Sequence, residues 1–153
     1  SLPPAPAEAA SEVVEASPVV APVAAAPSIL LAEDNPVNQR LTAYTLTKLG
    51  CKVDVVANGA EAVAAAGTVP YDLVFMDCQM PEMDGYRATE IIRAREGSER
   101  HTVIVALTAN AGPGDRDRCI ACGMDDYVAK PFRPSDLRRM LETWLKPSID
   151  QAA

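Results

Sequence analysis

The sequence has a single histidine, no run of basic residues and no long apolar stretch, and each absence excludes a class of protein. Its 14 Lys and Arg face 21 Asp and Glu, for a formal net charge of −7. This acidic balance argues against binding to nucleic acid or to an anionic membrane. The longest apolar stretches are far shorter than a membrane span, and the N-terminus lacks the basic region of a signal peptide. We therefore expect a soluble, cytoplasmic domain without direct membrane contact.

The cysteines do not match a redox or zinc site. The four are Cys51, Cys78, Cys119 and Cys122. The last two have C-x-x-C spacing, but a thioredoxin-type pair follows an early strand and begins a helix, whereas this pair precedes an expected helix end. A zinc site needs more ligands, and His101 has no second metal-binding partner nearby. We expect small, core-filling thiols in a reducing compartment.

The first 27 residues differ in composition from the rest of the chain. They hold 6 of the 13 prolines, nine alanines, three glutamates and no basic residue. Such a segment, without aromatic residues or a sustained period, is typical of an extended linker. We expect residues 1–27 to form this linker, residues 28–146 a folded domain and residues 147–153 a C-terminal tail. Because the chain opens with Ser1 and not with Met, we expect it to be part of a longer protein.

Five short segments have the composition of strands. Continuous apolar runs, typical of strands buried on both faces of a parallel sheet, occur at residues 29–31, 73–76 and 103–107. Residues 52–55 alternate in polarity, which suits an edge strand with one wetter face. A fifth, short strand is expected at residues 127–129.

Helical patterns separate these strands. Asn35 and Pro36 are suited to the cap and first residue of a helix that Gly50 would end. Apolar residues recur near helical spacing in it, at Val37, Leu41 and Leu49. Four further helices are expected: residues 58–66, about 86–95, a weaker one ending at residue 123, and one with the stripe Leu137, Leu141, Trp144 and Leu145. This alternation predicts a doubly wound parallel sheet with right-handed crossovers.

Chemically useful side chains follow the strand ends, where ligands bind in such sheets. Glu33 and Asp34 follow the first strand, Asp77 the third, Thr108 the fourth and Lys130 the fifth. Neighbouring carboxylates repel one another, and a hard divalent cation such as Mg²⁺ relieves that repulsion. The lysine adds a positive charge and the threonine a donor. The set therefore suits phosphoryl transfer to a carboxylate nucleophile.

Four segments, in this order, resemble the signature blocks of the two-component response-regulator receiver domain: ILLAEDN, LVFMDCQMPEMDG, VALTAN and DYVAKPF. Their wording is most similar to the receivers of hybrid sensor histidine kinases, and the resemblance covers about residues 28–146. It implies a flavodoxin-like fold with five helices and a five-stranded parallel sheet in the order 2-1-3-4-5. It also implies a phosphorelay with Mg²⁺ as cofactor. The partner would be a histidine kinase phospho-donor domain or a histidine phosphotransfer protein.

The resemblance also implies roles for the residues that match the motifs. Asp77 would accept the phosphoryl group and help to bind Mg²⁺. Asp34 would bind the metal directly, Glu33 through water, and Cys78 through its backbone carbonyl. Lys130 would pair first with the acceptor and then with the phosphoryl oxygens.

The remaining matching residues would act after phosphorylation. Thr108 would hydrogen-bond a phosphoryl oxygen, and Tyr127 holds the place of the aromatic switch residue. Once Thr108 moves, Tyr127 would fill the vacated space and change the face formed by the fourth helix, fifth strand and fifth helix. Gln79 and Asn110 occupy places that tune the lifetime of the phosphate.

Other functions fit the sequence less well. A pseudo-receiver that only docks on a histidine kinase remains an alternative, although the complete acidic cluster argues against it. A phosphatase of the haloacid dehalogenase type needs a second aspartate where Gln79 stands. A dinucleotide site needs a glycine-rich turn where AEDNP follows the first strand. The absence of an ATP-binding glycine motif means that a phospho-donor must act in trans or from an upstream segment of a parent hybrid kinase.

Overall fold

The computed structural model describes residues 26–109 and 112–152, the last seven by their backbone alone. Most of the expected linker, residues 1–25, and the expected tuning residue Asn110 lie outside the described residues. The elements alternate as β1 (Ser28–Ala32), α1 (Pro36–Lys48), β2 (Lys52–Val56), α2 (Gly59–Thr68), β3 (Leu73–Asp77), α3 (Gly85–Glu96), β4 (Val103–Thr108), α4 (Pro113–Cys122), β5 (Asp126–Ala129) and α5 (Pro134–Ala152). The parallel strands have the order β2-β1-β3-β4-β5, so the predicted flavodoxin-like fold is confirmed.

Alternate residues of the central strands supply two cores, one on each face of the sheet. On one face Leu30 and Val74 pack with α2, α3 and α4. On the other, Ile29 and Phe75 pack with α1 and α5. Because both faces are covered, β1, β3 and β4 are almost wholly buried, which explains their continuous apolar composition. Strand β2 is at an edge and is partly exposed, as its alternating pattern predicts.

The apolar spacing in α1 located the helix but not its buried face. The residues that α1 buries are Thr42 and Leu46. By contrast, Val37 and Leu41 are each 64% exposed, and Tyr44 is 63% exposed. These three have the spacing i, i+4, i+7, so they form one stripe, roughly opposite the buried face. We call Val37, Leu41 and Tyr44 the α1 stripe.

Helix ends agree with the predicted capping residues. The Asn35 side chain accepts from the amides of Val37 and Asn38, and that of Asn58 accepts from the amide of Glu61. Two helices run further than predicted, α2 to residue 68 and α5 to residue 152. Helix α5 therefore continues through residues 147–152, which we expected to belong to the C-terminal tail.

The cysteines belong to the core, as predicted. All four are free, and Cys51, Cys78 and Cys119 are buried. Among the described residues, the one group of side chains suited to hold a metal ion contains no cysteine. In the part of the chain that the structure describes, no helix has the length and apolar character needed to cross a membrane.

Candidate functional site

The acidic side chains meet at the carboxyl edge of the sheet, where the winding reverses. The chain leaves β1 to form β2 on one side and then returns to place β3 on the other. This reversal opens a crevice beyond the ends of β1 and β3. Glu33 and Asp34 directly follow β1, and Asp77 is the last residue of β3. The sheet topology therefore brings together carboxylates that are distant in the sequence.

Three carboxylates and one ammonium group form the centre of the site. One oxygen each from Glu33, Asp34 and Asp77 lie within 4.8 Å of one another. The ammonium of Lys130 donates to Oδ2 of Asp77 at 2.9 Å and to Oε1 of Glu33 at 3.1 Å. Glu33 and Asp77 are only 1% and 6% exposed, whereas Asp34 is exposed. Two buried acids thus share one cation, while the third acid faces solvent.

This arrangement changes the proton affinities of the buried groups. Burial raises the pKa of Glu33 above its ordinary 4.5, and the charge of Asp77 raises it further, against the opposing effects of the Asn35 amide and Lys130. Burial lowers the pKa of Lys130, but the hydrogen bonds and charges of Asp77 and Glu33 outweigh it, so that this pKa is raised. The lysine therefore stays protonated at neutral pH, and the site retains excess negative charge.

Backbone groups orient the acceptor carboxylate and the residue after it. The amide of Gln79 donates to Oδ1 of Asp77 at 3.1 Å, so both oxygens of that carboxylate have a fixed donor. The amide of Cys78 donates to the carbonyl of Leu107 at 3.0 Å, and its carbonyl accepts from the amide of Gly85 at 3.1 Å. Cys78 is buried, and burial raises the pKa of its thiol. The backbone of Cys78 is thus fixed between strand β4 and the start of α3.

The expected switch residues lie on the last two strands of the sheet. Thr108 is the buried last residue of β4, and its carbonyl accepts from the amide of Lys130 at 2.7 Å. Tyr127 is half-buried in β5, in register with Ala106, and its ring centroid lies 5.8 Å from the guanidinium carbon of Arg116. The structure therefore places Tyr127 against α4.

The acids and the lysine line an open cleft of about 500 Å³. Its walls come from the ends of β1, β3, β4 and β5 and from the start of α1: Glu33, Asp34, Asn35, Asn38, Asp77, Gln79, Met80, Ala109 and Lys130. Sequence reasoning missed Asn38 and Met80 as wall residues. The position of Asn38 in the first turn of α1, three residues after the cap, could have indicated it.

The donor set of this cleft fits magnesium. Mg²⁺ prefers oxygen ligands and is usually held by one or two carboxylates together with several waters. Closely spaced acids with one exposed member, Asp34, supply such oxygens in an open, polar cleft. The residues present therefore fit a hard divalent cation, and their electrostatic repulsion favours its binding.

A comparison with protein-family models decides the family. The model of the response regulator receiver domain matches residues 29–142, and this range includes every acidic residue of the cleft. The chain belongs to the response regulator receiver domain family. The similarity of this receiver to hybrid kinases is equally plain. It is 46% identical over 119 residues to hybrid signal transduction histidine kinase B of Dictyostelium discoideum, and 45% identical over 122 residues to the sensor histidine kinase GacS of Pseudomonas protegens.

These alignments cover 71% and 78% of this chain but only 6% and 13% of the two relatives. The receiver thus spans a small part of the curated relatives that it matches. Among solved structures, the receiver domain of a Pseudomonas aeruginosa sensor histidine kinase is 48% identical with a TM-score of 0.73, covering 80% of this chain and 99% of that one. That neighbour was crystallised with a magnesium ion coordinated in its active-site cleft.

A second solved neighbour was crystallised with a partner protein. It is the receiver domain of a Saccharomyces cerevisiae response regulator, in complex with a histidine phosphotransfer signalling protein. It is 32% identical to this receiver with a TM-score of 0.72, and the match covers 78% of this chain and 88% of that one.

Proposed function

We propose that this receiver takes a phosphoryl group from a phosphohistidine onto Asp77, with Mg²⁺ as cofactor, within the phosphorelay of a hybrid histidine kinase. The observation that carries the proposal is the setting of the Asp77 carboxylate. It ends a buried strand, lies beside two further acids, contacts a protonated lysine at 2.9 Å and faces an open cleft. A carboxylate with a purely structural role needs neither the neighbouring acids nor the cleft.

Four residues are proposed to hold the metal. Asp34 and Asp77 would contribute carboxylate oxygens, Glu33 would act through water, and Cys78 would offer its backbone carbonyl. When bound, Mg²⁺ would neutralise the negative charge that develops on the phosphoryl oxygens. The magnesium ion in the Pseudomonas aeruginosa neighbour, at 48% identity, supports this assignment.

In the transfer step an oxygen of Asp77 attacks the phosphorus atom. A P–O bond forms as the P–N bond to the donor histidine breaks, and the leaving nitrogen takes up a proton. Lys130 would shift from the acceptor carboxylate to the phosphoryl oxygens, and Thr108 would donate a hydrogen bond to one of them. Such pre-positioned donors stabilise the charge of the transition state.

Three residues are proposed to act after the transfer. Tyr127 would follow the movement of Thr108 and so change the packing of α4. Gln79 and Asn110 would set how long the phosphate survives. For Gln79 this role is supported by its position in the cleft wall, directly after the residue whose carbonyl is a proposed ligand.

The α1 stripe supports docking of the phospho-donor beside the cleft. Leu41 also lines a neighbouring groove of about 340 Å³ together with Lys130, Pro131 and Phe132. An apolar surface next to the acceptor would hold a donor domain while its histidine enters the cleft. We propose that the donor is the dimerisation domain of a histidine kinase or a histidine phosphotransfer protein, like the partner in the Saccharomyces cerevisiae complex.

Intact-mass spectrometry after incubation with acetyl phosphate and Mg²⁺ tests the function directly. We expect one phosphate adduct on the wild type, dependent on Mg²⁺ and absent from Asp77→Asn. The matched control is Asp117→Asn, because Asp117 is an exposed acid of α4 outside the cleft, and it should keep the adduct. A folded wild-type domain that gains no adduct would instead favour a pseudo-receiver that only docks on a kinase.

A further inference from the structure

The loop between β3 and α3 is held in a strained conformation. The amide of Met83 donates to the carbonyl of Pro81 at 2.6 Å, which closes a three-residue turn around Glu82. Glu82 has a φ of 68° and is the one described non-glycine residue with positive φ. Turns of this kind are rare because a side chain disfavours positive φ. Neighbouring structure must therefore hold the loop in place.

The first residue of α2 supplies one of the contacts that hold it. The amide of Gly59 donates to the carbonyl of Met83 at 2.9 Å. This amide has no partner inside its own helix, so the loop carbonyl satisfies it and lies at the positive end of the helix dipole. A Cβ at position 59 would overlap with this carbonyl oxygen and approach the carbonyl oxygen of Asp84 to 2.9 Å. The contact thus requires glycine.

Both ends of the loop are connected to the site. At one end the amide of Gln79 orients the carboxylate of Asp77. At the other, the amide of Gly85 donates to the carbonyl of Cys78 at 3.1 Å, and a Cβ at position 85 would overlap with the carbonyl oxygen of Asp77. A shift of Met83 would therefore be transmitted through Gly85 to the backbone that ends β3.

We propose that Gly59 is a positioning residue for the acceptor site. By admitting the Met83 carbonyl to the start of α2, it holds the strained turn at Glu82 and so fixes the loop whose Gln79 amide orients the Asp77 carboxylate. The predicted effect of this contact on Mg²⁺ affinity rests on the proposed function. The structural coupling itself concerns the metal-free protein.

The test compares two glycines of the same helix. Gly59→Ala should push the loop away, whereas a Cβ at Gly67 meets nothing within 4 Å, so Gly67→Ala is the matched control. Isothermal titration calorimetry should show Mg²⁺ affinity about tenfold weaker in Gly59→Ala, the loss typical when the support of a metal ligand is removed. Amide hydrogen exchange in the metal-free protein should show faster exchange at Gly85. Equal affinity and equal Gly85 exchange in the two folded variants would overturn the proposal.

A second pair of variants tests the same coupling if Gly59→Ala does not fold. Glu82→Asn and Glu82→Val both remove the exposed charge, but asparagine tolerates positive φ and a β-branched valine does not. The valine variant should show faster exchange of the Gly59 amide and weaker Mg²⁺ binding than the asparagine variant. Identical behaviour of the pair would refute the coupling.

The design separates this inference from the proposed function. A wild type that binds no Mg²⁺ would contradict the proposed function. The exchange rates at Gly59 and Gly85 in the metal-free protein would still decide whether the loop depends on the glycine contact.

Discussion

At the residue scale, the site is defined by an imbalance of charge. Glu33 and Asp77 are buried and share the ammonium of Lys130, while Asp34 adds a third negative charge from the solvent side. Burying paired charges rarely adds stability compared with apolar packing, so such a cluster is weak evidence for a structural role. Its simplest physical explanation is a function that brings more positive charge to the cleft.

The raised pKa of Glu33 leads to a prediction about pH. Protons compete with a metal for a carboxylate, and a raised pKa moves that competition to higher pH. As the pH is lowered, the Mg²⁺ affinity of the wild type should therefore decline at a higher pH than expected for an ordinary carboxylate, whose pKa is near 4.5. Glu33→Gln should bind more weakly at neutral pH but with a flatter pH dependence. Calorimetric titrations across this pH range would contradict the assignment if both proteins showed the same profile.

At the element scale, the sequence predicted what local patterns encode. The elements and their order could be predicted because they depend on residues that are close together in the sequence. Examples are the caps Asn35 and Asn58 and the apolar runs of β1, β3 and β4. The strand ends then located the acids, the lysine and the threonine. The buried face of α1 could not be predicted, because packing against the sheet and α5, and not apolar spacing, selects Leu46 over Leu41.

The contact of Gly59 with Met83 was equally hidden from the sequence. It joins the start of α2 to the loop after β3, and only the sheet topology brings these segments together. The sequence shows that Gly59 follows a good cap, Asn58, but it cannot show that the Met83 carbonyl approaches this glycine. Close backbone approaches of this kind need three-dimensional information.

The cap of α2 offers a prediction about stability. The Asn58 side chain accepts from the amide of Glu61 at 2.8 Å, and the Glu61 side chain accepts from the amide of Ala57 at 2.8 Å. Asn58→Ala should lower the free energy of unfolding by about 1 kcal/mol, the usual effect of losing a cap. Urea denaturation should show a lower midpoint with an unchanged m-value. Asn58→Asp is the control that keeps the acceptor, and an equal loss in that variant would contradict the capping explanation.

The α1 stripe leads to a prediction about the donor. Leu41→Arg places a charge in the centre of an exposed apolar surface, so it should slow transfer from a phosphohistidine protein. Phosphorylation by acetyl phosphate, which needs no docking surface, should be unchanged. The matched control is Ile120→Arg on α4, since Ile120 is also exposed, at 51%. Rapid-quench assays with both donors measure the two rates. Equal slowing by the two substitutions would argue against docking at the stripe.

At the scale of the whole molecule, the cleft and α4 are connected through the last two strands. The carbonyl of Thr108 accepts from the amide of Lys130, and β4 and β5 pair in register up to that point. Tyr127 lies on β5 with its ring facing Arg116 of α4. The N-cap of α4 is Gly112, which provides no side-chain hydrogen bond to the first turn of this helix. We propose that a small movement at Thr108 reaches α4 through the side chain of Tyr127.

This connection can be tested through the response of α4. In the wild type, phosphorylation in the presence of Mg²⁺ should shift the amide resonances around Asp77 and also those along α4. In Tyr127→Ala the shifts around Asp77 should remain, because the acceptor is intact, whereas those along α4 should shrink, because nothing fills the space that Thr108 leaves. Tyr127→Phe retains the ring and should retain the response of α4.

Two-dimensional NMR spectra of the three proteins measure these shifts. Tyr44→Ala is a further control, which separates the switch from a general loss of rigidity in the fold. Tyr44 is an exposed tyrosine of the α1 stripe, remote from α4 in the fold, and its removal should leave the response of α4 as in the wild type. A full response of α4 in Tyr127→Ala would mean that β5 does not carry the signal.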